Sequence, residues 1–143
     1  MEALSKRENV VPKDVVLVEL SKFVENWTFE KQEDYKLEES YPQVIVAMMK
    51  GLVVFDEKFK PTVTLLVPLT DQDDVAVVSH IEFRTRLKPT DLANITKGLD
   101  ITKQQVEYTL RCLCYITKKE RAYLDKFSKF DYKVIEQIAS VFF

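Results

Sequence analysis

Two runs of the chain, residues 62–69 and 75–87, alternate apolar and polar side chains, and five polar residues at 70–74 join them. A period of two sends successive side chains to opposite faces of an extended chain. In the first run Val63, Leu65, Val67 and Leu69 share one face; in the second Ile81, Phe83, Thr85 and Leu87 alternate with Glu82, Arg84 and Arg86. The pattern predicts an antiparallel hairpin with one wet face. A lone hairpin is marginal in water, so the rest of the chain must cover its apolar side.

The remaining segments supply helices for that task. Behind Pro12, which suits a helix's first turn, Val16, Leu20, Phe23, Val24 and Trp27 recur at helical spacing. Residues 15–18 alone could be a strand, because β-branched side chains crowd there; the persistence of the period to Trp27 favours the helix. Residues 1–11 are polar and expected to fray. Residues 28–40, TFEKQEDYKLEES, are charged and aperiodic and read as a solvated linker. Ser40 then caps a second helix with Pro42 in its first turn, Val44, Ile45, Met48 and Met49 inward, and Gly51 as its stop. Residues 52–55 form a short apolar strand and 56–61 a turn.

After the hairpin, Pro89, Thr90 and Asp91 open a short helix carrying Leu92 and Ile95, closed by Gly98. Thr102-x-x-Gln105 reads as a capping box for a helix with Val106, Leu110, Leu113 and Cys114 inward. Thr117-x-x-Glu120 reads as a second box, opening a helix through Leu124, and Ser128-x-x-Asp131 as a third start. Val134, Ile135, Ile138, Ala139 and Phe142 line the last helix. The expected class is α+β: an antiparallel hairpin or small sheet packed against several short helices, with a helical C-terminal half. Residues 1–57 form an N-terminal helical extension packed on a hairpin-plus-helices domain at 58–143.

Composition bounds the function. With 143 residues, 46% of them hydrophobic and 31% charged, the chain has the make-up of one globular domain. The net charge is −2, with 9 basic and 12 acidic residues in 1–60 against 12 and 11 in 61–143, an even balance that argues against a phosphate-neutralising face. Two glycines leave no Gly-rich phosphate loop. Cys112 and Cys114 point to nearly opposite sides of a helix, so they neither bridge each other nor make a zinc site, and they suit a reducing compartment. The opening MEALSKRENVVPKD has no apolar run of leader type, and no stretch approaches the length of a membrane span.

The residues suited to chemistry do not assemble into a site. His80 is the sole histidine and lies on the wet strand face; Ser79 and Thr85 are nearby, but no triad is implied. Asp71, Asp73 and Asp74 lack the glycine and distal glutamate of an EF-hand loop and read as a solvated hairpin tip. Arg84, Arg86 and Lys88 form a basic stripe, and the helices near 102–125 permit a helix-turn-helix reading, although their side chains suit base edges poorly. The expectation is a non-enzymatic protein without cofactor or metal. Phe127, Phe130, Tyr132, Phe142 and Phe143 concentrate apolar surface at the C-terminal end, and exposed apolar surface marks interaction sites.

The order of these elements resembles a known family. The strand TVTLLVPL leads to a second strand ending FRTRLKPTDL, then a short helix, then LRCLCYITKKERAYLDKFSKFDYKVIEQIASVFF. Over residues 61–143 this looks like the tail assembly chaperones of tailed bacteriophages. Arg86, Pro89 and Thr90 stand at the family's strand-to-helix turn and Leu110 and Leu113 on its leucine helix. Thr117, Glu120, Leu124, Asp125, Asp131 and Tyr132 match its Thr-x-x-Glu…Leu-Asp…Asp-Tyr phrase, and Phe142 its closing aromatic. The first 60 residues lie outside the likeness. The resemblance implies a protein that coats the tape measure protein in the cytoplasm of the infected host, yields to tail tube subunits, and is absent from the virion. Self-association and a longer frameshifted product are compatible with it. On this basis the expected grip is Leu124, Phe127, Phe130, Ile138, Phe142 and Phe143. A small DNA-binding regulator and a structural head–tail morphogenesis protein are the alternatives.

Overall fold

The hairpin forms and gains a third strand. A computed structural model of the chain describes residues 7–143. In it β1 (Val53–Phe55), β2 (Pro61–Thr70) and β3 (Ala76–Glu82) make an antiparallel sheet in the order β1-β2-β3. Val63 of β2 faces Val53 on one side and Ile81 on the other, and all three are buried. The helices are α1 (Lys13–Thr28), α2 (Asp34–Ser40), α3 (Pro42–Met49), α4 (Pro89–Thr96), α5 (Gln105–Thr117), α6 (Arg121–Leu124) and α7 (Lys129–Ala139), followed by a 3-10 turn, Ser140–Phe142. The class is α+β with a helical C-terminal half.

The strands depart from simple alternation in two places. β3 stops at Glu82 rather than continuing to residue 87, because the next backbone donor leaves the sheet: Arg84 N–H donates to the carbonyl of Ile116 in α5 (2.7 Å). In β2 the register shifts between Thr64 and Leu69. Leu65 and Leu69 remain buried, whereas Val67 turns out to solvent. The cause is a side chain from elsewhere. The Asp131 carboxylate accepts the N–H of Leu66 (2.8 Å) and of Val67 (3.0 Å), replacing strand partners at the irregularity.

Asp131 is 1% exposed. It is also the N3 residue of α7, where its backbone N–H donates to the Ser128 hydroxyl oxygen (3.1 Å) and the Ser128 hydroxyl donates back to its carboxylate (2.9 Å). The Ser-x-x-Asp start is thus realised, with its carboxylate spent on the sheet and on Ser128 rather than on the helix's own N-cap N–H. The other end of α7 performs a similar service. Gln137 Oε1 accepts the N–H of Gln43 (3.1 Å) and Val44 (3.2 Å), two of the unpaired donors at the start of α3. One helix therefore saturates backbone groups of both the sheet and the N-terminal half.

Helix boundaries show which local signals prevail. α1 carries Val16, Leu20, Phe23 and Val24 into the core, with Pro12 just outside the helix as its N-cap. Residues 34–40 form α2 instead of a solvated linker; Leu37, fully buried, anchors a segment whose other side chains are exposed. One apolar contact outweighs the charged composition there. Ser40 ends α2, and Tyr41 takes the N-cap of α3. Gly51 follows α3 with φ +72°, and an added Cβ would meet Val10 Cγ2 at 3.1 Å, so position and space both select glycine.

Neither threonine box forms. α5 begins at Gln105 and its first turn stands out in water, leaving Val106 75% exposed. Thr117 ends α5, its hydroxyl donating to the Leu113 carbonyl (2.6 Å), and Glu120 is the N-cap of α6 without a side-chain cap. Leu92 of α4 is 38% exposed, while Ile95 is buried.

Residues 7–11 are held rather than frayed. Val10 and Val11 N–H both donate to the Met49 carbonyl (2.8 and 3.1 Å), and Lys50 Nζ donates to the Arg7 carbonyl (2.7 Å); residues 1–6 of that expectation lie outside the described part. The described part of 1–57 shares one continuous core with 58–143, running from Val16 to Val141. We expect Asp131→Ala to lower the unfolding free energy by about 1–3 kcal/mol, since two part-buried strand N–H groups lose their acceptor. Ser128→Ala removes a cap and should cost about 1 kcal/mol. Urea titrations measure both.

Candidate functional site

Two of the concave surfaces among the described residues gather aromatic or charged side chains. The first is an aromatic corner where α1 ends. Phe23 stacks on Phe55 (centroids 4.3 Å apart), and Phe142 meets Phe23 and Trp27 edge to face at 6.0 and 5.3 Å. Trp27 Nε1–H donates to the Phe59 carbonyl (2.8 Å), tying the end of α1 to the β1–β2 turn. That turn is built on Asp56, whose carboxylate accepts the N–H of Lys58 (2.8 Å) and Lys60 (2.9 Å). These bonds, the one from Lys60 foremost, hold the Asp56 carboxyl below the ordinary aspartate range.

Phe29 and Phe59 frame a groove of about 420 Å³ with Lys22, Glu25 and Asn26. Both phenylalanines have left-handed backbone, φ 61° and 60°. Bulky side chains rarely adopt that conformation; glycine and asparagine are the residues that do so at low cost. Phe29 occupies the C-cap of α1, where the left-handed turn lets its N–H reach the Glu25 carbonyl (2.9 Å), yet its ring is 89% exposed. It therefore contributes little to the core from a position that disfavours it.

The second surface lies between α4, α5 and α6, a groove of about 650 Å³ with Ile95 and Tyr115 among its apolar wall and Arg111 and Arg121 at its polar side. Arg121 pairs with both oxygens of Glu107 (2.8 and 3.1 Å), and Arg111 shares that carboxylate (3.3 Å) while donating to the carbonyls of Ile95 (3.1 Å) and Lys97 (2.8 Å). Arg121 first, and then Arg111, hold the Glu107 carboxyl below its ordinary value. Asp91 is lowered likewise, chiefly by the Tyr115 hydroxyl and then by the Lys88 N–H, and the same bond raises Tyr115. The Arg84 guanidinium lies 4.8 Å above the Tyr115 ring. Cys114 opens into this groove, whereas Cys112 is buried and its thiol is pushed up by that burial.

The expected grip residues are placed differently from an open surface. Leu124, Phe127 and Ile138 are 4%, 9% and 1% exposed and belong to the core. Phe130 and Phe142 are half-buried, and Phe143 is 46% exposed. The amphipathic face of α7 faces inward because it is the cover that the sheet requires. Of the six residues, Phe142 joins the aromatic corner and Phe143 follows it directly. Sequence reasoning passed over Phe29 and Phe59; each is a lone aromatic inside a charged segment, FEKQED and DEKFK, and that isolation was the available signal.

His80 is exposed, with Nδ1 3.0 Å from the Ser79 hydroxyl, and no carboxylate completes a relay among the described residues. Nor do three or more His, Cys, Asp or Glu converge as a metal site among them. No helix is long and apolar enough to cross a membrane among the same residues. No known family model matches this chain, and no curated protein or solved structure matches it.

The Glu107 cluster yields a pH prediction. A carboxyl whose folded value is depressed contributes stability above its unfolded value, and that contribution disappears as pH falls through the folded one. Carbon-detected NMR should place the Glu107 titration below the ordinary glutamate range, and Arg121→Ala should move it upward more than Arg111→Ala does.

Proposed function

We propose that the protein is a non-enzymatic tail assembly chaperone that transiently covers apolar segments of a phage tape measure protein until tail tube subunits replace it. The carrying observation is the aromatic corner. Two phenylalanines accept an unfavourable backbone conformation there, and one of them leaves its ring in water. Backbone strain at an exposed aromatic is a sign of a binding role, because folding alone would select against it.

The ordered likeness over residues 61–143 supports the class of partner. A long helical partner offers repeated apolar stripes, and rigid aromatic anchors bind such stripes at low entropic cost. The grip on this reading is Phe29, Phe59 and Phe143, backed by Trp27 and Phe142, while Leu124, Phe127 and Ile138 serve by holding α7 in place.

Co-expression with the tape measure protein encoded nearby, followed by pull-down and a solubility assay, is the test. Phe29→Asn should leave stability unchanged or raise it by up to about 1 kcal/mol, since asparagine accepts the left-handed conformation. Combined with Phe143→Ser it should weaken co-purification about tenfold, the loss of a typical anchor. A folded double variant that binds and solubilises its partner as well as the native chain removes the corner from the proposal. A folded native chain that neither binds nor solubilises it removes the chaperone reading itself.

A further inference from the structure

The charges of the second half are sharply segregated. Residues 61–83 contain four acidic residues and no basic one, whereas residues 84–133 contain 12 basic residues and six acidic ones. The structure turns this into two separate features. The distal β2–β3 hairpin is an arm: residues 70–77 are exposed throughout, with Val75 and Val77 57% and 53% in water. Its tip is ordered, since the Asp71 carboxylate accepts the N–H of Asp73 (2.8 Å) and Val75 (3.0 Å). Asp73 and Asp74 make no ion pair among the described residues.

The complementary feature is the α4–α5–α6 groove. Within it Arg111 and Arg121 share the Glu107 carboxylate, while Asp91 accepts the Lys88 N–H. The surplus is positive and comes from its borders. Lys97 follows α4, with its carbonyl on Arg111, and Lys119 follows α5, with its N–H on the Cys114 carbonyl (3.2 Å) and its ammonium 5.9 Å from the Tyr123 ring just beyond the groove. Arg84 sits over Tyr115 on the same side. The groove thus pairs an apolar wall with a basic margin, and the arm pairs exposed valines with an acidic tip.

The two cannot meet within one molecule. β3 runs from the tip toward Arg84, which is fastened to Ile116 at the far end of the strand. Ten residues of extended chain separate Asp74 from Arg84, about 30 Å. We propose that the hairpin arm of one copy of this chain docks in the α4–α5–α6 groove of a second copy. Such a contact is head-to-tail: each copy offers one arm and one groove, so the assembly closes as a ring or continues as a helical row. Opposite charge steers the encounter, and apolar contact between the valines and the groove wall retains it.

Sedimentation velocity on the full chain over a concentration series, at low and high salt, tests this. Two charge variants at exposed positions are needed: Asp73→Lys with Asp74→Asn on the arm, and Lys97→Glu with Lys119→Glu on the groove. Asparagine preserves the left-handed backbone at 74, where φ is 58°. The native chain should self-associate, less so at high salt. Each variant alone, folded by circular dichroism, should associate about tenfold more weakly. Mixing the two should restore assembly, because the native arm of one variant then meets the native groove of the other, and the arm stripped of its acidic surplus no longer repels the acidic groove. A chain monomeric at every concentration overturns the proposal, as does assembly indifferent to both variants. A monomeric chain that binds a labelled oligonucleotide through Lys97 and Lys119 assigns the basic margin to nucleic acid and overturns it equally.

Discussion

The buried carboxylate of Asp131 is the interaction on which the architecture depends. A sheet of three short strands cannot stand alone, and β2 carries a register irregularity that leaves two N–H groups without strand partners. Asp131 supplies both missing acceptors while Ser128 orients it, so the defect in the ladder becomes the attachment point of α7. From there Gln137 carries the same helix to the head of α3. Apolar contact supplies most of the cohesion, but it is not directional. These polar bonds set where along the strand the helix sits and which way it turns.

The sequence revealed what depends on periodicity. The hairpin, the inward faces of α1, α3 and α7, and the turns at Gly51 and Gly98 all follow from side-chain spacing and backbone preference. What it concealed depends on contacts distant in the chain. Val67 leaves the core because Asp131, 64 residues away, takes its N–H. Residues 34–40 become helical because Leu37 finds a place in the core. Thr102 and Thr117 have the spacing of capping boxes, yet the helix N-caps fall two or three residues later, at Gln104 and Glu120, which make no side-chain cap. Charge was misleading for a different reason: comparing two halves averages an acidic arm with a basic groove that follows it directly.

The aromatic residues show how composition and position divide the work. The C-terminal cluster looked like the natural binding surface, and most of it is committed to holding the helices over the sheet. The exposed rings come instead from Phe29 in a charged connection and from Phe143, with the half-buried Phe59 beside Phe29 in the same groove. A binding face made of loop-borne aromatics can change without disturbing the core beneath it. This separates the requirements of folding from those of recognition.

The cysteine pair on α5 has a practical consequence. Cys112 faces the interior with its thiol pushed up by burial, while Cys114, half a turn further on, opens toward the α4–α5–α6 groove. A thiol-directed dye or spin label at neutral pH would therefore react first at Cys114 in the native chain. The protein carries a reporter position beside its basic groove, and occupancy of that groove could be followed by fluorescence or distance measurement without an engineered cysteine.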